Sequence, residues 1–173
     1  PGPEEMYPDG FATNIHVNGV SEGLDGDFRP GHFDGVATVV AKLLLQVAPD
    51  MALFGEKDYQ QLCVIRRLVT DLNIHTRIVG VPTQREADGL ALSSRNQYLS
   101  AEERAIAPKL HAVLQSLAGQ LLDKGDATVL IEQAKADILA AGFASIDYLE
   151  LRGEDTLTPM TSLTGPARLL VAA

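Results

Sequence analysis

Two polar segments of the chain combine residue types that could bind and activate a phosphorylated ligand. The first, GEKDYQQ over residues 55–61, directly follows a short apolar run. Lys57 would supply a positive charge, Asp58 could accept from a sugar hydroxyl, and Gln61 offers a donor and an acceptor to a polar substrate. Gly55 would permit a close approach of the backbone to a ligand. The residues alone equally allow a solvated lysine beside an aspartate that caps a helix.

The second segment, TQREADGLALSSRN over residues 83–96, ends in two hydroxyls and a guanidinium. Ser93 and Ser94 are short neutral donors, and Arg95 carries a planar fork of N–H groups, a combination that suits the oxygens of a triphosphate. Asp88 followed by glycine predicts a turn within this segment. As an isolated tripeptide, however, Ser-Ser-Arg is more typical of a solvated loop.

Predicted secondary structure brings the two segments to one edge of a sheet. The apolar run 51–54 predicts a buried strand, apolar residues at helical spacing predict a helix over 59–72, and the branched run 75–83 predicts a second strand. We expect Arg66 and Arg67 on a solvated face of the helix. A strand–helix–strand unit of this length implies parallel strands. Open parallel sheets bind ligands beyond the carboxyl ends of their strands, which is where both polar segments begin.

The residues upstream predict a strand over 12–19, a long glycine-rich loop, and a helix over 36–47 that is apolar nearly all round and therefore buried. The loop contains RPGHF, residues 29–33. This motif could lend a cation or an imidazole to the same crevice, or Pro30 and Gly31 could simply shape the turn.

The residues downstream predict a separate α+β unit. Ser100 and Glu103 form a capping-box pattern that opens a long helix, which Pro108 can kink and Gly125 ends. Asp126 is the expected cap of a further helix, and two strands follow it. We therefore place a domain boundary near Thr83, giving domains over 1–82 and 83–173.

Composition narrows the functional classes. The chain has 173 residues, 46% hydrophobic and 21% charged, and no apolar run approaches the ~20 residues of a membrane span. A net charge of −9 disfavours broad binding to nucleic acid. The single cysteine suggests a reducing, cytoplasmic compartment, and the four histidines lack the spacing of a metal site. Neither end carries a leader or a polar tail, so we expect both to be cuts through a larger protein.

Four segments in order, RPGHFDGV, FGEKDYQQL, VGVPTQREADGLALSSRN and LLVAA, resemble the pantothenate synthetase (pantoate–β-alanine ligase) family of the nucleotidylyltransferase group. The resemblance extends over nearly the whole chain. It implies an α/β fold in which part of a Rossmann-like parallel-sheet nucleotide-binding domain, residues 1–82, precedes a small α+β C-terminal lid domain, residues 83–173. It also implies ligation of pantoate and β-alanine through a pantoyl adenylate, with ATP and Mg²⁺, release of pyrophosphate and AMP, and a homodimeric full-length protein.

The resemblance also implies roles for individual residues. The ATP site would comprise Gly55, Glu56, Lys57, Asp58, Gln84, Leu92, Ser93, Ser94 and Arg95. The catalytic group would be Lys57 with Ser93, Ser94 and Arg95, because these positions match the groups that neutralise and hold the phosphates. Gln61 matches the position that binds pantoate. Asp58 matches a position near the ribose, and Gln84 matches a position whose backbone contacts the adenine. No protein ligand to a resident metal is implied.

The family pattern includes a His-x-Gly-His motif and an early glutamine that this chain lacks, so the chain resembles the later part of the enzyme. We therefore expect it to be inactive or weakly active alone. Two alternatives stay open: another adenylating enzyme of the nucleotidylyltransferase type with a different acceptor, and a non-catalytic module that binds nucleotide or a protein partner. Gln61 is the feature that discriminates between the ligase and the other adenylating enzymes.

Overall fold

A parallel pair of strands joined by a helix organises the first part of the chain. The computed structural model describes residues 1–123 and 126–173, which divide into two units, Pro1–Pro82 and Thr83–Ala173. The first unit contains α1 (Pro3–Met6), α2 (Asp25–Phe28), α3 (His32–Val47), β1 (Met51–Gly55), α4 (Tyr59–Asp71) and β2 (Arg77–Val81). A 3₁₀ turn, Glu56–Asp58, joins β1 to α4.

The predicted strand–helix–strand unit is confirmed. β1 and β2 pair in parallel, with Met51 opposite Arg77 and Gly55 opposite Val81. The helical spacing of apolar residues in α4 places them on its buried face, where Leu62, Ile65 and Leu68 are almost completely inaccessible to solvent. The core of this unit is formed by Val17, Phe33, Ala37, Ala41, Val64 and Leu68. The face of α4 that the sequence pattern marks as apolar is therefore the face that packs.

The strand predicted over residues 12–19 is wrong, because the structure has no strand in that segment. Its groups bond instead to side chains of α3. The Ile15 N–H donates to Thr38 Oγ1 at 3.0 Å, and the His16 ring nitrogen Nδ1 lies 2.7 Å from Asp34 Oδ1. Side-chain partners satisfy the segment without a sheet, an outcome that branched residues alone do not reveal.

The expectation of full burial for α3 and β1 is also wrong. α3 begins four residues earlier than predicted, at His32, and its apolar surface is wider than the surface that the chain covers. Leu45 and Val47 are 67% and 70% exposed, and Leu53 on β1 is 63% exposed. Only one face of each element packs against the rest of the described chain.

The second unit contains α5 (Ala101–Ile106), α6 (Pro108–Leu122), α7 (Ala127–Ala140), β3 (Tyr148–Gly153) and β4 (Ala167–Ala172). β3 and β4 are antiparallel, with Tyr148 opposite Ala172. The core of the unit is formed by Leu117, Leu121, Ala127, Ala134, Ile138, Leu149 and Leu151. The chain thus has an α/β fold with a two-stranded parallel sheet, helices and a two-stranded antiparallel sheet.

The two side-chain caps predicted for helices of the second unit are present. Ser100 Oγ accepts from the Glu103 N–H, and the Glu103 carboxylate accepts from the Ser100 N–H at 2.8 Å. Asp126 Oδ1 accepts from the N–H groups of Thr128 and Val129 in the first turn of α7. The helix is interrupted at Pro108 as expected: α5 ends at Ile106 and α6 begins at Pro108, while Ala107 between them keeps helical φ and ψ of −49° and −40°. The predicted stop at Gly125 lies outside the described residues.

Candidate active site

The predicted site residues fall into two sets, one in each unit. Gly55 ends β1, Lys57 and Asp58 occupy the 3₁₀ turn, and Gln61 lies in the first turn of α4. This first set is therefore held at the carboxyl end of a parallel strand, the edge at which such sheets bind ligands. The second set, from Gln84 to Arg95, belongs to the second unit.

Lys57 and Asp58 form an exposed ion pair. Lys57 Nζ lies 3.1 Å from Asp58 Oδ1, and the two side chains are 38% and 62% exposed. Asp58 does occupy the N-cap position of α4, as predicted, but its side chain makes no capping hydrogen bond and accepts from Lys57 instead. An exposed pair of this kind adds little stability, so a ligand can replace either partner at small cost.

Gly55 has no structural requirement for glycine within the chain. Its φ of −67° is open to any residue, and a Cβ placed on it would meet nothing within 4 Å. The missing side chain leaves open space beside the backbone at the end of β1. The open space at this position would admit a ligand or another part of the polypeptide close to the backbone.

The side chain of Glu56 lies over β2. A Cβ placed on Gly80 would come within 3.0 Å of Glu56 Oε1 and within 3.2 Å of a terminal nitrogen of Arg66. Gly80 therefore leaves room for both groups. The expectation that Arg66 is simply solvated is wrong, because its side chain reaches this position and is only partly exposed. Arg67, in contrast, is exposed and pairs with Asp71 one turn further along α4.

The adjacent glutamines of α4 have opposite surroundings. Gln60 is buried, accepts from the Asp25 N–H at 3.0 Å, and donates to the carbonyls of Val20, Glu22 and Gly23 at 3.1–3.3 Å. Gln61 is partly exposed, and its side-chain amide makes no hydrogen bond with any residue that the structure describes. Gln60 holds the glycine-rich loop, whereas the amide of Gln61 is available to a ligand.

The RPGHF motif forms the entry to α3. Gly31 has φ +77° at the N-cap position, a conformation that favours glycine, and His32 begins the helix. The His32 ring packs against Phe33 with centroids 5.0 Å apart, while Arg29 is exposed. The turn-shaping interpretation is thus correct for Gly31, and Arg29 keeps a cation at the surface.

In the second unit, Ser93 caps the 3₁₀ segment Ser94–Tyr98 by accepting from the Arg95 N–H at 3.2 Å. This bond uses a lone pair of the Ser93 oxygen and leaves the hydroxyl hydrogen able to donate. Ser94 is exposed, and Arg95 is exposed with no hydrogen bond from its guanidinium to any described residue. Leu92 is 54% exposed beside them. The side-chain donors of this segment are therefore available to solvent or a ligand rather than bonded within the described chain.

Residues 84–92 form a hairpin that leads directly into Ser93. Arg85 bridges Ala91 in antiparallel fashion, and the Leu92 N–H donates to the Gln84 carbonyl at 2.8 Å. The backbone of Gln84, predicted to meet adenine, therefore has its carbonyl engaged at the base of the hairpin. The predicted turn at Asp88 is confirmed, since Asp88 Oδ1 accepts from the Leu90 N–H at 3.1 Å.

Two absences concern only the described part of the chain. Among residues 1–123 and 126–173, no group of three or more His, Cys, Asp or Glu side chains is arranged to hold a metal ion. Within the same residues, no helix is both long and apolar enough to cross a bilayer.

The fold and these residues define a class: an α/β protein with polar and cationic side chains at the ligand-binding edge of a parallel sheet. Comparison with known proteins identifies the family. Residues 1–173 match the family model described as Pantoate-beta-alanine ligase. The chain belongs to this family.

Similar proteins agree with this assignment. The pantothenate synthetase of Chelativorans sp. (strain BNC1) is 60% identical over 173 residues, which are all of this chain and 61% of that protein. The pantothenate synthetase of Cereibacter sphaeroides is 59% identical over 173 residues, which are all of this chain and 62% of that protein. The chain therefore spans about six tenths of the length of these relatives.

Solved structures show the same fold. The crystal structure of pantothenate synthetase from Thermus thermophilus matches 99% of this chain and 62% of its own, with a TM-score of 0.91 and 48% identity. The pantoate–β-alanine ligase of Francisella tularensis, complexed with β,γ-ATP and β-alanine, matches 85% of this chain and 53% of its own. Its TM-score is 0.70 and its identity 38%.

Proposed function

We propose that this chain is the later part of an enzyme that joins pantoate to β-alanine at the expense of ATP, releasing AMP and pyrophosphate. The observation that carries the proposal is the match of all 173 residues to the pantoate–β-alanine ligase family. The relatives named pantothenate synthetase and the Francisella tularensis complex with β,γ-ATP and β-alanine support it.

The reaction has two transfers. A pantoate carboxylate oxygen attacks the α-phosphorus of ATP, the bond to the β-phosphate breaks, and pyrophosphate leaves. The amine of β-alanine then attacks the acyl carbon of the pantoyl adenylate, forms the amide, gives up a proton, and expels AMP. Lys57 would offset negative charge at the α-phosphate and the attacking carboxylate, the kind of fixed electrostatic help that is often the largest catalytic contribution.

We assign the ATP site to both polar segments: Gly55, Glu56, Lys57, Asp58, Gln84, Leu92, Ser93, Ser94 and Arg95. The open space beside Gly55, the exposed Lys57–Asp58 pair and the unengaged guanidinium of Arg95 support this assignment. Glu56 would contribute mainly through its backbone, because its side chain lies over Gly80. Gln61 would bind pantoate, since its amide has no hydrogen bond within the described chain.

Mg²⁺ would enter with ATP rather than reside in the protein. Mg²⁺ is usually bound through substrate phosphates with one or two carboxylates and water, so the phosphate oxygens of ATP would supply most of its ligands. Residues 1–82 would be the later part of a Rossmann-like nucleotide-binding domain, and residues 83–173 its lid. The full-length protein would be a cytoplasmic homodimer, and the net charge of −9 disfavours nucleic acid as a partner.

The experiment that tests this function is pantoate-dependent exchange of labelled pyrophosphate into ATP by the full-length protein. We expect exchange that depends on pantoate, and AMP release on addition of β-alanine. Exchange that is equally fast with other carboxylic acids would favour another adenylating enzyme. Nucleotide binding without pyrophosphate exchange in the presence of any carboxylic acid would favour a non-catalytic module.

Two variants test the site assignment within that assay. Lys57→Ala should reduce the exchange rate by about 100-fold or more, as expected for loss of a group that stabilises transition-state charge. Arg67→Ala is the matched control, because it also removes an exposed, ion-paired cation from the first unit. Equal effects of the two substitutions would exclude Lys57 from the site.

A further inference from the structure

The hairpin of residues 84–92 has a tight polar tip. The Glu86 N–H donates to the Leu90 carbonyl at 2.8 Å, and the Gly89 N–H donates back to the Glu86 carbonyl at 2.9 Å. Gly89 has φ +95°, and a Cβ there would lie 3.1 Å from the His111 ring. The turn thus directs Glu86 and Asp88 from one short stretch of backbone.

Arg104 on α5 binds both of these carboxylates. One terminal nitrogen lies 2.6 Å from Glu86 Oε2 and the other 2.6 Å from Asp88 Oδ2. These hydrogen bonds, that to Asp88 most strongly, raise the pKa of Arg104, and the same bond with Arg104 lowers the pKa of Asp88. One guanidinium therefore ties the tip of the hairpin to a helix that begins well beyond it in the chain.

Local sequence explains why Arg104 is available for this contact. The capping box of Ser100 and Glu103 starts α5 at Ala101, so Arg104 lies in the last turn of this short helix. At the other end of the hairpin, Asn96 Nδ2 donates to the Ala91 carbonyl at 3.0 Å. Arg104 holds the tip and Asn96 the base, and Ser93–Arg95 lie between the base and α5.

The guanidinium groups of Arg95 and Arg104 have different surroundings. The guanidinium of Arg104 is bonded to two carboxylates, whereas that of Arg95 makes no hydrogen bond with any residue the structure describes. Single surface ion pairs contribute little, but one guanidinium shared by two carboxylates is a small network with good geometry. Its effect should appear in the order of the hairpin more than in global stability.

We propose that Arg104 is a positioning residue that, by binding Glu86 and Asp88, fixes the 84–92 hairpin and so presents Ser93, Ser94 and Arg95 to the phosphates of ATP. This inference rests on the proposed function. When a segment is already ordered, ATP binding does not have to supply the free energy of ordering it. Loss of the ion pairs of Arg104 should therefore weaken ATP binding more than it slows the chemical step.

The test compares Arg104→Ala, Arg104→Lys and the double variant Glu86→Gln/Asp88→Asn in the full-length protein. Arg104→Ala should raise KM for ATP in pyrophosphate exchange about five- to tenfold while kcat changes less than about twofold. The double variant should do the same, its combination with Arg104→Ala should add nothing, and Arg104→Lys should restore part of the affinity. Lys135→Ala is the control, because it removes a similarly exposed ion pair from α7.

Amide hydrogen exchange provides a readout independent of activity. Arg104→Ala should speed exchange in residues 86–98 and leave the amides of α6 and α7 unchanged. Faster exchange throughout the unit, or an unchanged KM, would overturn the proposal. If the unmodified protein catalyses no pyrophosphate exchange, the proposed function fails and the phosphate role of Arg104 fails with it, while hydrogen exchange still decides whether Arg104 holds the hairpin.

Discussion

Gln60 and Gln61 are chemically identical neighbours that the fold gives different tasks. Gln60→Ala removes a buried amide with four backbone partners and should lower the free energy of unfolding by about 2 kcal/mol or more. Gln61→Ala should change it by less than about 0.5 kcal/mol and instead raise KM for pantoate. Chemical denaturation and steady-state kinetics measure the two effects. Equal losses of stability would contradict this division.

His16 and Asp34 form an exposed pair whose titration can be predicted. The hydrogen bond with Asp34, and then its negative charge, raise the pKa of His16, and the bond with His16 lowers the pKa of Asp34. The contribution of His16 is fully present below its unfolded pKa and is lost as pH rises through the raised value. That of Asp34 is lost as pH falls through its lowered value, so the pair stabilises the segment between those two values.

NMR titration of the imidazole tests this assignment directly. Asp34→Asn should lower the pKa of His16 toward its ordinary value of about 6.5, because it removes the two largest causes of the shift. His111 is the internal control, since burial and then the charge of Arg85 lower its pKa. An unchanged His16 titration in Asp34→Asn would show that the two side chains do not pair.

At this scale, residue type and position predict some side chains and miss others. Lys57 and Arg95 could be singled out because each follows the end of a predicted strand and carries an obvious charge. Gln60 could not, because the residues it binds lie 35 to 40 positions earlier in a loop with no regular pattern. Arg104 was missed for a similar reason, since its carboxylate partners lie across a turn rather than at helical spacing.

At the scale of elements, two helix caps offer a matched comparison. Ser100→Ala and Asp126→Ala each remove a side-chain cap, of α5 and α7 respectively, and each should lower the free energy of unfolding by about 1 kcal/mol. Only Ser100→Ala should also speed hydrogen exchange in residues 86–98, because α5 carries Arg104. Equal exchange in the two variants would argue that α5 does not support the hairpin.

Elements with a regular spacing of apolar residues or with a capping side chain could be predicted from the sequence. Elements held by side chains far away in the sequence could not. The buried stripe of α4 and the cap of α7 both follow from local sequence. Residues 12–19 have the branched side chains of a strand, yet Thr38 on α3 supplies the partner that a neighbouring strand would. The interruption at Pro108 could be predicted because proline has no N–H to donate within a helix.

At the scale of the whole molecule, the first unit exposes apolar surface, as expected for a chain that spans only part of the length of its relatives. Parallel sheets are normally covered on both faces, yet β1 and β2 form a two-stranded sheet in the described chain, and Leu53 is 63% exposed. The chain also spans about six tenths of its relatives. We therefore expect the remaining part of the full-length protein to cover this face of β1.

Leu53 provides a direct measurement of that coverage. In the 173-residue chain, Leu53→Ala should change the free energy of unfolding by less than about 0.5 kcal/mol, because the side chain is already largely solvated. In the full-length protein the same substitution should cost about 2 kcal/mol or more, as expected for a leucine in a packed core. Leu62→Ala is the control, since Leu62 is completely buried and should cost about 2–5 kcal/mol in both proteins. Urea denaturation of the full-length protein with and without Leu53→Ala is the deciding measurement. A change in the free energy of unfolding near zero would mean that no further part of the enzyme packs on this face of β1.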